Sequence, residues 1–161
     1  MKKKFLKRRY PSLKSAFTDF KFMYTHRSDI RAAMRNSTVD EAFRERLMMA
    51  VTQVNGCRYC SYFHAREALR AGIPQEELAA VSSFDFENSP PEQQPALLYA
   101  QHWAETDAHP DDEIRERMLA IYGHETLTAI EMVLRMIRMG NLMGNTFDYV
   151  LFKISFGLLG Q

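Results

Sequence analysis

Two cysteines occur in 161 residues, and both fall in one tetrapeptide, Cys57-Arg58-Tyr59-Cys60, with His64 four positions further on. Thiols three apart are too close to staple a long loop, so the pair points to redox chemistry or metal binding. The thiolate is the reactive form of cysteine, and a neighbouring imidazole can take or return its proton. Covalent haem attachment needs a histidine directly after the second cysteine, and Ser61 stands there. A structural zinc site would need Cys57, Cys60, His64 and one distant donor, because a second cysteine pair is missing. No metal and no other cofactor is expected.

A helix starting at Cys57 and ending at Ala71-Gly72 places Cys57, Cys60 and His64 within about 60° of one another, on a single stripe. Arg58, Arg66, Glu67 and Arg70 mark the solvent side, so the stripe faces inward. Ser61, Ala68 and Ala71 beside it are small, which permits close helix packing or leaves room for a water or a small substrate. Cys57 lies at the helix start, where free amide donors and the macrodipole favour a thiolate. Cys60 is one turn in, within reach of Cys57 for a disulfide and of His64 for proton transfer. Helix position by itself nominates Cys57 as the more acidic thiol. The plain alternative is two inert buried thiols beside a core histidine.

The elements that hold this stripe read as helical throughout. Gly and Pro number 7 and 6, while hydrophobic residues make up 46% and charged residues 25%. That is the balance of a folded soluble domain, and strand-like alternation is nearly absent. The expected fold is all-α, about six to eight helices in one domain over residues 15–161, with the cysteine helix buried centrally. A first helix is expected from Ser15 to about Arg35. Thr38-Val39-Asp40-Glu41 reads as a capping box opening a buried helix through Phe43, Leu47, Met48, Met49, Ala50 and Val51, which Asn55-Gly56 ends. Pro74 opens a short helix to about Val81, and Ser89-Pro90-Pro91 reads as the cap of the helix carrying Trp103. Further helices are expected from His109-Pro110 to Gly123, from Glu125 to Met143, and over the tail.

Glu45 lies twelve positions before Cys57, and Glu45…Cys57-x-x-Cys60-x-x-x-His64 resembles the motif of the AhpD-like alkylhydroperoxidases of the carboxymuconolactone decarboxylase-like superfamily. Val54-Asn55-Gly56 before the motif and Ala71-Gly72-Ile73-Pro74 after it are also similar, and the likeness covers about residues 17–150. The resemblance implies an AhpD-like helical bundle, oligomeric as a dimer or trimer-based assembly, that acts as a cysteine peroxidase. By it, Cys60 attacks the peroxide, Cys57 is its proton donor and resolving partner, and Glu45 with His64 relays protons. Tyr59 stands between the cysteines, where members of the family can carry a histidine. The implied partners are a hydroperoxide substrate and an external dithiol or thiol-protein reductant. Two other readings have the same fold: a redox-sensing or binding module without turnover, and a carboxymuconolactone decarboxylase-type enzyme, whose chemistry does not depend on a cysteine pair.

Charge is uneven. Residues 1–14 hold seven Lys or Arg and no acid, which leaves 14 bases against 20 acids, a net of −6, in the body. An acidic body argues against a nucleic-acid-binding face. The basic segment is expected to be a flexible arm, dispensable for the thiol chemistry. No apolar run approaches the roughly 18–20 residues that span a bilayer, and the start lacks the apolar core of a secretory signal, so no membrane partner and a cytoplasmic location are expected. Met132, Met136, Met139 and Met143 recur at helical spacing, as core or as a subunit interface, and Tyr62 and Leu69 are expected on the outer side of the cysteine helix.

Overall fold

The run Leu47–Val51 is apolar on every side, and all five residues are buried at the centre of the molecule. They lie on α3 (Glu41–Asn55), around which the other elements are arranged. A computed structural model describes residues 4–35 and 37–160. In chain order the helices are α1 (Leu13–Thr25), α2 (Arg27–Ala33), α3, α4 (Arg58–Arg70), α5 (Gln75–Val81), α6 (Gln94–Glu105) and α7 (Asp112–Ile154). No strand occurs among the described residues, so the fold is all-α with seven described helices, as expected, but the cysteine helix α4 is not buried centrally: Ala68 is its one buried member, and α3 takes the central place. α3 packs against α4, α5, α6 and α7. Trp103 and Tyr99 of α6 and Leu127, Ile130, Val133 and Leu134 of α7 complete the core.

α5 is tied to α3 by a buried ion pair. Arg46 Nε and Nη2 donate to the two Glu77 carboxylate oxygens at 2.6 and 3.0 Å. Burial pushes the Glu77 carboxyl upward, but the bonds from Arg46 outweigh it and hold the group below its ordinary value.

Four boundaries differ from the expected ones. The helix expected over Ser15–Arg35 is broken at His26 (φ −103°, ψ 22°), whose ring stacks on Phe22. The bend seats Ala33 of α2 in the core, while α1 buries no residue completely. Thr38 does not cap α3. Asp40 does, its Oδ1 accepting from the Phe43 amide at 2.8 Å, because Val39 is buried just ahead of the helix instead of joining its first turn. Ser89-Pro90-Pro91 forms a turn in which Gln93 and Gln94 amides donate to the Pro90 carbonyl, so α6 starts at Gln94 with proline in its first turn. Within α7 the expected break at Gly123 is present (φ 72°, ψ 170°), but the helix that follows runs on to Ile154 instead of ending near Met143.

The largest correction concerns the basic arm. Expected as a flexible arm, it makes contacts with α6 and α7 through Phe5, Lys7, Arg8, Arg9 and Tyr10; residues 1–3 lie outside the described residues. Phe5 makes edge contacts with Tyr149 and Phe152, and the Arg9 guanidinium sits 3.8 Å over the Tyr149 ring. Arg8 donates to the Ala104 and Glu105 carbonyls at the C-terminal end of α6, where the helix dipole favours a cation. Tyr10 is buried; its hydroxyl donates to Asp19 at 2.9 Å and its amide to Thr146 Oγ1 at 3.2 Å. These acceptors arrive from distant elements, which charge density along the chain does not reveal.

Candidate active site

α3 ends where Gly56 adopts φ 72°, ψ 31°, a left-handed cap that glycine takes without penalty. The chain turns there, and Cys57 becomes the N-cap of α4 rather than a member of it. The Cys60 amide donates to Cys57 Sγ at 3.3 Å, so the sulfur fills the role usually taken by a serine or aspartate oxygen. The two sulfurs stand at disulfide-bonding distance, with Cα atoms 5.4 Å apart. Cys57 is only 1% exposed, whereas Cys60 is half-buried. Cys60 is therefore the less buried residue of the pair.

Glu45 is nearly buried on α3, and its Oε2 lies 2.8 Å from Nδ1 of His64 on α4. In the neutral imidazole, Nδ1–H donates to this carboxylate and Nε2 is left as the proton-accepting nitrogen. Pairing of Glu45 with its arginine neighbours does not occur: Arg44 donates to the Val39 carbonyl and Arg46 holds Glu77. Cys60 and His64 are neighbours one turn apart on α4. The structure thus gathers Cys57, Cys60, His64 and Glu45 at the α3–α4 junction. Ala68 is fully buried where the helices meet, while Ser61 joins Thr52, Gln53, Gly56, Cys57 and Arg58 around an open depression of about 190 Å³. Both roles proposed for the small residues are realised, at different positions.

A stripe on α7 was not singled out from the sequence. Asn141, Gly144, Asn145 and Asp148 recur at intervals of three and four, on one face. A Cβ on Gly144 would lie 2.9 Å from Cys57 Sγ and 4.0 Å from Cys60 Sγ, so glycine allows α7 to reach the two sulfurs. Asn141 accepts from Asn55 Nδ2 and donates to Thr52 Oγ1, both at 3.1 Å. Asn145 donates to the Asn55 and Arg8 carbonyls at 2.7 Å, joining the end of α3 to the N-terminal segment. The side chain of Asp148 has no exposed surface and receives Lys7 Nζ at 2.6 Å, Arg58 Nη2 at 2.8 Å and the Tyr59 hydroxyl at 2.9 Å. Burial pushes its carboxyl upward, yet the three donors outweigh burial and hold it below the ordinary carboxylate value. Asn, Gly, Asn and Asp on one helix face, in place of apolar residues, was the available signal.

Tyr59, between the cysteines, is turned toward Asp148 by this bond. Outside it, Tyr62, Phe63 and Leu69 of α4 and Met143, Phe147, Val150 and Ile154 of α7 are all exposed, with Tyr62 at 68%. Tyr62 and Leu69 lie on the outer side, as expected. Met132 and Met136 pack against the core.

The model of the carboxymuconolactone decarboxylase family matches residues 20–106, which run from within α1 to the end of α6. Uncharacterized protein YdfG of Bacillus subtilis (strain 168) is 24% identical over 125 residues, covering 73% of this chain and 84% of that protein. No solved structure matches the chain significantly. The matched segment holds Glu45, both cysteines and His64 and extends over more than half of the sequence, and on that basis the chain belongs to the carboxymuconolactone decarboxylase family.

Proposed function

We propose that the protein is a thiol-dependent peroxidase and disulfide oxidoreductase working through Cys57 and Cys60. The observation that carries this reading is the pairing of two cysteines at disulfide-bonding distance, at the start of the helix whose histidine is held by a buried glutamate. The Cys60 thiolate attacks the outer oxygen of a hydroperoxide, the O–O bond breaks, and the alkoxide leaves as an alcohol after taking a proton. Cys60 becomes a sulfenic acid. The Cys57 thiolate then attacks the Cys60 sulfur, the S–S bond forms, and hydroxide leaves as water. An external dithiol returns two electrons and two protons and is itself oxidised to a disulfide. His64, held through Nδ1, moves the protons at Nε2, with Glu45 stabilising the imidazolium.

The active form in this reading is a homo-oligomer, dimer or trimer-based. The apolar side chains left exposed on neighbouring faces of α4 and α7 are more than a small monomer ordinarily presents. Sedimentation at micromolar concentration is expected to give a multiple of 18.7 kDa, and a species of 18.7 kDa would contradict assembly. The cytoplasm, with its reducing thiol pool, is the compartment that sustains such a cycle. No described helix is long and apolar enough to cross a membrane.

Turnover decides between the readings. With excess dithiothreitol, steady consumption of an organic hydroperoxide is expected. One equivalent consumed without further turnover would indicate a redox-sensing module. Thiols that survive an equivalent of hydroperoxide would leave a carboxymuconolactone decarboxylase-type activity.

A further inference from the structure

We propose that Lys7 is a positioning residue for the redox pair: through Asp148 it clamps Arg58 and Tyr59 on the first turn of α4 and sets the charge beside Cys57. The inference rests on the reading that the pair cycles between disulfide and thiolate. Lys7 and Asp148 lie outside the family-matched segment, while Arg58 and Tyr59 lie within it.

The geometry is continuous from the N-terminal segment to the sulfurs. The Lys7 stem crosses Gly56, where Lys7 Cγ would be 3.6 Å from an added Cβ, one residue before Cys57. Its ammonium ends on Asp148 Oδ2, while Asp148 Oδ1 takes Arg58 and Tyr59, the two residues between the cysteines. Asp148 stands one turn beyond Gly144, the position in contact with Cys57 Sγ, or about 5.4 Å along the helix. The charged and titratable groups around this turn are Lys7 from the N-terminal segment, Asp148 from α7, Arg58, Tyr59 and His64 from α4, and Glu45 from α3. Arg8, Arg9 and Arg46 are turned elsewhere, onto the α6 carbonyls, Tyr149 and Glu77. Lys7 and Arg58 against Asp148 leave one net positive charge beside Cys57, which favours its thiolate.

The sign of the effect separates charge from packing. Lys7→Gln takes the clamp from +1 to 0, so the midpoint of Cys57 thiolate formation in the reduced protein should move upward by about half a pH unit, a roughly threefold loss of thiolate below it. Asp148→Asn takes it to +2 and should move the midpoint downward. Lys7→Arg, which keeps the charge, should restore the parent profile. The measurement is the ultraviolet absorbance of the thiolate across pH in the full-length reduced protein carrying Cys60→Ser, which leaves Cys57 as its single thiol. A Lys7→Gln profile that superimposes on the parent would overturn the proposal, and so would shifts of the same sign in Lys7→Gln and Asp148→Asn. If Asp148→Asn does not fold, the contrast between Lys7→Gln and Lys7→Arg decides alone. Peroxide is absent from this test, so a protein that shows the Lys7 dependence but no peroxide turnover keeps the clamp and loses the peroxidase reading.

Discussion

Cys60→Ser should lower peroxide consumption to background, while Cys57→Ser should consume one equivalent and stop. Cys60 is the less buried residue of the pair, while Cys57 is almost fully buried and α7 closes on its sulfur at Gly144. Without Cys60 no thiol meets the peroxide. Without Cys57 the first attack proceeds, but the sulfenic acid on Cys60 finds no resolving thiolate and accumulates. Serine at position 57 retains an N-cap acceptor for the Cys60 amide, so this variant should fold and melt close to the parent. Mass spectrometry after one equivalent of hydroperoxide should find one added oxygen on Cys60 of Cys57→Ser. An oxygen trapped on Cys57 of Cys60→Ser would reverse the two roles and make the helix cap the attacking thiol.

Glu45→Gln is the second large effect. Glutamine can still accept from His64 Nδ1–H through its carbonyl oxygen, so the imidazole keeps its place while the carboxylate charge beside it is lost. If Glu45 supports the proton relay, alkylation of Cys60 near neutral pH should slow by roughly 10²-fold, the scale of a proton-transfer residue, and its pH profile should change shape. Thermal stability should change little, because the substitution preserves volume and a hydrogen bond at the α3–α4 junction. An alkylation rate and profile equal to the parent's would remove Glu45 from the mechanism and leave a Cys–Cys–His site. Read beside Lys7→Gln, the two variants act on opposite ends of the site: Glu45 through His64 and Cys60, Lys7 through Asp148 and Cys57.

The sequence by itself determined the helical class, the central helix Leu47–Val51, and the stripe Cys57–Cys60–His64, because helix periodicity is local: residues three and four apart must share a face whatever surrounds them. Glu45 was legible only through the family motif. Its spacing along α3 is equally compatible with a surface pair to Arg44 or Arg46, and what excludes that pair is the capture of Arg46 by Glu77, 31 residues away. The tertiary structure alone decided which cysteine is the more buried, since Gly144 is brought against the Cys57 sulfur by the packing of α7. It also decided the fate of the basic segment. A run of lysine and arginine reads as a solvated arm until its acceptors are located, and these are Asp148 and the carbonyl end of α6, 141 and 96 positions away for Lys7 and Arg8. Desolvating a carboxylate as completely as Asp148 is costly without partners, and three donors from two separate parts of the chain meet that demand. Such long-range pairing leaves no period in the sequence to read.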